Sequence, residues 1–277
     1  MGEFRQGSKE GYGEVFWVDE TTYKGDWRSN EMHGNGEYRW SDGTMYTGEM
    51  KHNFIDGEGV LKYRNGNKYV GMFQRDKAHG DGRFYWHDGK KYKGKWEQGL
   101  MHGKGTQRLA NKSIYTGFFS KGQITGYGKM QYPSGERYEG DFVRGNREGR
   151  GRNLWPNGDA YAGEFFADKM TGKGRMVWSD GREYDGDWYQ NRKQGKGRYM
   201  KADGRSYEGQ YEYDLKNGHG IFRFGNGREH EGYWQDGKPH GEGIVRDNGS
   251  ERVGIWSKGL HIRWMSEASV RENKARQ

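Results

Sequence analysis

The 277-residue sequence contains no cysteine and only three prolines. Without cysteine there is no disulfide framework and no thiolate metal site, a composition that fits a reducing, intracellular setting. Aliphatic residues are scarce as well. Apolar residues of every kind reach 30%, and Phe, Tyr and Trp alone supply 16%, so a core of Leu, Ile and Val is out of reach. The longest apolar run, Val15 to Val18, is far too short to span a membrane as a helix. The opening residues Met1-Gly2-Glu3-Phe4-Arg5-Gln6 lack the apolar stretch of a signal peptide and place Gln where a myristoylation motif has Ser or Thr.

Low hydropathy with 31% charge would suggest disorder, yet disordered chains are poor in rings, and this one carries 11 Trp, 20 Tyr and 12 Phe. The 50 glycines do not fall at every third residue and proline is rare, which excludes a collagen-like chain. The net charge of +8 is concentrated in the middle third. Such an excess faces either an anionic partner or solvent.

Periodicity organises the chain. Tyr-x-Gly begins at Tyr23, Tyr46, Tyr69, Tyr92, Tyr115, Tyr138, Tyr161, Tyr184 and Tyr207, always 23 residues apart, and His230-Glu231-Gly232 continues the register. With the Tyr as position 0, position +4 is large throughout, from Trp27 to Trp234, and positions +11 and +13 are Gly throughout. A first repeat lacking its Tyr precedes this series, and Arg252-Val253-Gly254-Ile255-Trp256 closes it as a half-repeat.

Positions 0, +2 and +4 alternate with polar residues, as do +13, +15 and +17, and period two marks a strand with one covered face. Each repeat therefore reads as a β-hairpin. The glycine at +20 sits in Asp-Gly or Asn-Gly steps such as Asp42-Gly43 and Asn65-Gly66, which supply positive φ in turns. Pro133, Pro156 and Pro239 fall between the expected strands, where a missing N–H breaks no ladder. Glycines inside strands call for another reason, and a ring lying flat over the bare backbone of the neighbouring strand supplies one. On this reading the glycines at +11 and +13 receive rings, and the one at +2 accompanies the Tyr. Rings at 0, +4 and +17 are expected to stack in columns that replace the aliphatic core. Trp17, Trp40, Tyr63, Trp86, Tyr132, Trp155, Trp178 and Phe224 at +17 would line a protein-binding groove. The other face is expected to be polar, with acidic +3 residues (Asp26, Glu49, Glu164) paired across strands to basic +14 residues (Arg83, Arg152, Arg175), at ~0.2–1 kcal/mol each.

The expected fold is thus all-β: an elongated, twisted, single-layer antiparallel sheet of repeated 23-residue β-hairpins over residues 1–264, with a short tail, 265–277. Strands spaced ~4.8 Å apart make such an array ~100 Å long. The tail lacks glycine, and Ser269-Val270-Arg271-Glu272 matches a capping box, so it predicts a short helix.

The pattern Tyr23-Lys24-Gly25-Asp26-Trp27 followed by His33-Gly34-Asn35-Gly36 resembles the MORN repeat, and the likeness extends over nearly the whole chain. The resemblance implies a non-enzymatic scaffold that binds other structural proteins, of the ciliary and cytoskeletal type. It points to the axoneme of a cilium or flagellum, radial spoke heads foremost, and to homo- or hetero-oligomers through the array. Two repeats depart from the pattern, one at Gln107, Leu109 and Lys112, the other at Lys201. These mark a bend, a docking notch, or simply a repeat under weaker constraint.

No catalytic residue or cofactor is indicated. His79 and His102 share a column, but two histidines without a third ligand make a poor zinc site. The recurrent Gly-x-Gly steps lead into no helix, as a phosphate loop requires. Carboxylates recur as a surface column rather than as an isolated pair. Nucleic acid is not expected, because rings and basic residues fall on opposite faces. The alternative to a scaffold is a peripheral membrane adaptor that binds anionic lipid through Arg144, Arg147, Arg150 and Arg152, each contributing ~1 kcal/mol on an anionic leaflet. Glu136, Glu139, Asp141 and Glu148 lie among these arginines and weaken that field.

Overall fold

The computed structural model describes residues 2–266, so the tail's predicted helix and capping box lie outside the described residues. Among the described residues there are 24 β-strands and no helix, and sequential strands pair antiparallel. The chain forms two compact units. The first comprises the residues up to Gly135 together with Phe142–Gly145, and the second comprises Glu136–Asp141 together with the residues from Asn146 on.

One repeat shows the construction of all. The outgoing strand Thr22–Arg28 carries Tyr23, Gly25 and Trp27 on one face, and the returning strand Glu31–Arg39 pairs back on it. Ser29 and Asn30 join them with φ of 50° and 69°, the two left-handed residues of a type I′ turn, whose twist suits a hairpin. The wider connection at Trp40 to Thr44 leads to the next repeat. There Gly43 has φ 89°, and the Asp42 carboxylate accepts the Thr44 amide at 2.7 Å. Lys112 takes the place of this glycine in its repeat with φ 68° and keeps the same turn hydrogen bond to Leu109.

The tight turns also lace consecutive repeats together. Met32 donates its amide to the Asn53 side chain at 2.9 Å and accepts the Asn53 amide at 3.1 Å. The same reciprocal pair joins Ile55 to Asp76 and, in the second unit, Lys193 to Asp214.

Glycines at +2 and +13 are directly opposite one another, as Gly25 is to Gly36 and Gly71 to Gly82. The tyrosine ring lies across this pair. A Cβ on Gly82 would stand 2.3 Å from the Tyr69 hydroxyl and 2.6 Å from its ring. Each of the nine tyrosines donates its hydroxyl to the carbonyl at +3, at 2.8–3.1 Å. All nine rings are buried, and burial holds the phenols of Tyr23, Tyr46, Tyr69, Tyr92, Tyr161, Tyr184 and Tyr207 well above the usual range and pushes that of Tyr115 up to about 12.

Position +11 plays a part different from that expected of it. Between the pairs Gly25↔Gly36 and Trp27↔Met32, the returning strand has two residues more than the outgoing one. This is a bulge. Gly34 sits in it with φ 58°, a conformation that glycine reaches without the cost of a side chain. The ring-receiving glycines are therefore those at +2 and +13, and the one at +11 serves the backbone. The acidic residue at +3 serves the bulge as well. Asp26 accepts the Asn35 amide at 2.8 Å, and Asp187 accepts that of Lys196 at 2.9 Å. The +14 residue lies opposite +1, as Arg175 does to Asp185, rather than opposite the +3 residue with which a charge pair was expected.

Rings at 0 and +4 meet edge to face in a ladder, the arrangement favoured by the ring quadrupole. In the first unit Tyr69–Phe73, Tyr69–Trp96, Tyr92–Trp96 and Tyr92–Phe119 lie 4.9–5.3 Å apart. In the second, Tyr161–Trp188, Tyr184–Trp188 and Tyr184–Tyr211 lie 5.1–5.5 Å apart. Met50 substitutes for one ring and is equally buried. His230 takes a tyrosine's place between Trp234 and Trp256, at 5.6 and 4.6 Å.

Two predictions follow from this packing. Gly82→Ala forces a ring aside and is expected to lower unfolding free energy by about 1–3 kcal/mol, whereas Gly103→Ala, with φ 58° and only ordinary contact with Lys95 at 3.5 Å, costs about 1 kcal/mol. Urea titration measures both, and an equal or smaller loss at Gly82 would contradict the ring-over-glycine arrangement. The second concerns acid. Burial first, then Arg228 and Lys216, lower the His230 pKa from 6.5 to about 4. The folded state thus holds a neutral imidazole, and its contribution is complete above pH 6.5 and lost as pH falls toward 4. Thermal melts are expected to show a loss on the order of 2 kcal/mol over that window, absent in His230→Tyr.

Candidate functional site

The eight sequence-predicted +17 rings sit at hairpin ends, where the returning strand enters its wide turn, and are half-buried or exposed. They contact rings at +15 in short runs. Trp17 meets Tyr38 at 5.9 Å and Tyr38 meets Trp40 at 4.6 Å, and Tyr63, Phe84 and Trp86 repeat this at 6.0 and 4.5 Å. In the second unit Trp178 meets Tyr199 at 6.0 Å. Aliphatic or polar residues at +15, such as Leu61 and Gln107, interrupt the column. The ladder at 0 and +4 is sealed beneath the row at +9, where Lys216 lies 4.3–5.0 Å from the rings of Tyr207, Phe222 and Trp234. Its burial there, with Lys201 and Lys193 near, lowers its pKa to about 8.

The four arginines occupy different positions of the repeat. Arg144 lies exposed in a tight turn with φ 50°. Arg147 is at +9 on the ring face, where it bonds Asp168 at 3.2 Å, faces Glu136 at 3.6 Å and covers Tyr138 and Phe165. Arg150 and Arg152 are exposed at +12 and +14, positions that belong to the opposite face. Anchoring a hairpin thus occupies one of the four side chains.

Open space lies on the face opposite the ladder. In the first unit a groove of about 800 Å³ follows the row of paired glycines, Gly71, Gly82, Gly94, Gly105, Gly117 and Gly128, as its floor. Side chains at +1 and +14 form one wall: Val70, Arg83, Lys93, Thr106, Thr116 and Lys129 are successive cross-strand neighbours. Side chains at +3 and +12 form the other, including Asp81, Lys104, Phe118 and Tyr127. The bulges in the returning strands of these repeats bend the sheet along this row. A matching groove of about 650 Å³ in the second unit has acidic Asp185 and Glu208 beside Lys173, Lys196 and Arg198.

None of the eight +17 rings lines either groove. This is the face expected to be polar, to which the repeat pattern assigns charge pairs and no binding site. Rings and cations were expected on opposite faces, whereas Phe118 and Tyr127 share the groove with lysines. A signal was present. Position +3, acidic in six repeats, becomes Met72, Lys95 and Phe118 in succession, which removes the bulge carboxylate where the first groove lies.

Among the described residues no cluster of three or more His, Asp or Glu side chains is placed to hold a metal. Hairpins stacked on a tyrosine–glycine ladder define a repeat protein built as an interaction scaffold. The MORN repeat matches in eleven consecutive segments, residues 1–22, 23–45, 46–68, 69–91, 92–114, 115–137, 138–160, 161–181, 184–204, 207–227 and 230–250. The chain belongs to the MORN-repeat family.

A comparison with curated proteins finds no match. Among solved structures, the TCP10 domain of Danio rerio CPAP in complex with a peptide of Danio rerio STIL is 10% identical, with 92% of this chain and 94% of that one covered, at a TM-score of 0.32. The Drosophila melanogaster SAS-4 TCP domain, in complex with a proline-rich motif of Ana2, is 11% identical, with 81% and 90% covered, at 0.19. These TM-scores lie below the level of a shared fold.

Arg147→Ala is expected to destabilise the protein by about 1–3 kcal/mol, since it removes the guanidinium from Asp168 and Asn153 and leaves Asp168 with the residue-147 amide alone, and Arg144→Ala to be nearly neutral. Denaturant midpoints of the two variants check this, and equal midpoints would return Arg147 to the surface patch.

Proposed function

We propose that the array over residues 1–264 is a non-enzymatic scaffold that holds segments of other structural proteins in the axoneme of a cilium or flagellum, as in a radial spoke head. One observation carries the scaffold reading: the ladder buries its tyrosines completely, while the opposite face offers grooves of bare backbone. The buried rings hold the sheet, and the grooves are free to bind. The half-exposed +17 rings, Trp17, Trp40, Tyr63, Trp86, Tyr132, Trp155, Trp178 and Phe224, add an apolar strip along the hairpin ends. The axonemal setting rests on the family type alone. A membrane adaptor has weaker support, because its four arginines are divided between a turn and two faces.

Proximity labelling from the full chain expressed in ciliated cells tests the setting. Enrichment of axonemal proteins over a cytosolic control is expected, and enrichment of plasma-membrane proteins alone would overturn it.

A further inference from the structure

The scaffold reading leaves the occupant of the first groove open, and the following inference rests on that reading. Arg83, Lys93 and Lys104 line this groove, are exposed, and enter no ion pair among the described residues. The one acidic side chain on its walls, Asp81, is held by Lys95 at 2.8 Å. Three cations gathered over a bare floor without counter-charge in the chain repel one another and gain by meeting an anion. The second groove has its own carboxylates, with Lys173 bonded to Asp187 at 2.5 Å. The charge contrast singles out the first.

The walls also differ from one another. The +1/+14 wall presents Arg83, Lys93 and Lys129 with Thr106 and Thr116, two hydroxyls 3.2 Å apart. The facing wall presents Phe118, 42% exposed, and Tyr127, 53% exposed, with Lys104 lying 5.6 Å from the Phe118 ring. An extended peptide laid along the floor sends alternate side chains to the two walls. Acidic side chains then meet the cationic wall while apolar ones meet the rings. The floor crosses six strands, ~24 Å at ~4.8 Å per spacing, which accommodates about seven extended residues.

We infer that the glycine-floored groove between Gly71 and Gly128 binds an extended protein segment in which acidic and apolar residues alternate. A lipid leaflet is a poorer fit, since a flat surface does not reach a recessed floor. A nucleic acid strand is a poorer fit as well, since two well-exposed rings on one wall provide no platform for successive bases.

Fluorescence anisotropy with the full chain and a labelled peptide of about nine residues alternating Glu and Leu tests this. Binding is expected to weaken as salt rises from ~50 to ~300 mM, and to fall about tenfold or more in Lys93→Glu/Lys104→Glu. Circular dichroism confirms that this exposed-site variant is folded. The peptide with Lys in place of Glu is expected not to bind the native chain, and Lys173→Glu/Lys196→Glu in the second groove is expected to leave the Glu–Leu affinity unchanged. Absence of Glu–Leu binding, or binding untouched by the Lys93/Lys104 reversal, overturns the inference. So does binding of oligo(dT), or of phosphatidylserine-containing vesicles, through Lys93 and Lys104 when the peptide does not bind. Axonemal labelling that persists in the Lys93/Lys104 variant while the peptide fails defeats the groove assignment and leaves the scaffold standing. Peptide binding without axonemal labelling does the reverse.

Discussion

The tyrosine laid over two glycines is the contact on which everything else in this protein depends. The ring can approach the backbone only because neither facing residue has a Cβ, and its hydroxyl then reaches the carbonyl at +3. A single side chain thus covers two strands, satisfies a backbone acceptor beside the bulge and offers its edges to the +4 rings on either side. Dispersion and quadrupole contacts among these rings take over the work of an aliphatic core. Glycine, costly in an ordinary strand, is here the condition for burial.

The bulge links that contact to the binding face. Two extra residues in the returning strand bend it where the glycines pair, and a carboxylate at +3 takes the amide the bulge exposes, as Glu164 does for Lys173. Bulge and ring act at the same place on opposite faces, so the row that receives the rings is also the floor of the grooves. Repeats in which +3 is not acidic release that position for other contacts. The first groove has gained the Phe118 ring there without disturbing the ladder behind it.

Much of this was legible in the sequence because 23-residue recurrence multiplies a weak signal. One Tyr-x-Gly predicts nothing, whereas nine in register define strands, faces and repeat boundaries. The ring-over-glycine contact followed from the need to explain glycines in strands. What the sequence did not disclose were effects set by backbone geometry. Gly34 and Gly36 look equivalent as letters, and only the pairing register shows that one bears a left-handed φ in a bulge while the other lies under a ring. The tight turns were hidden too, because residues such as Ser29 and His52 adopt positive φ without a glycine to mark them. Arg144, Arg147, Arg150 and Arg152 are close in sequence, but a hairpin sends its residues to a turn and to two faces, so proximity along the chain was a poor guide to a shared surface. The groove escaped notice because its walls are drawn from several repeats, each unremarkable by itself.

The lacing of one repeat to the next carries a genetic consequence. Met32 meets Asn53, Ile55 meets Asp76 and Lys193 meets Asp214 by the same pair of hydrogen bonds, each side supplied from an equivalent position. Where +7 is glycine, as at Gly99 and Gly122, the backbone half of the joint is kept, so the backbone bond is the part that these repeats share. Removing or duplicating a stretch of 23 codons, cut anywhere within the period, rejoins a joint of the same kind and restores both the ladder and the lacing. A gain or loss that is not a whole number of repeats, made inside the paired strands, shifts a tyrosine off its glycines. Length in this protein is thus free to drift in whole repeats, while the walls of each groove, fixed by individual residues, record what a particular array has come to hold.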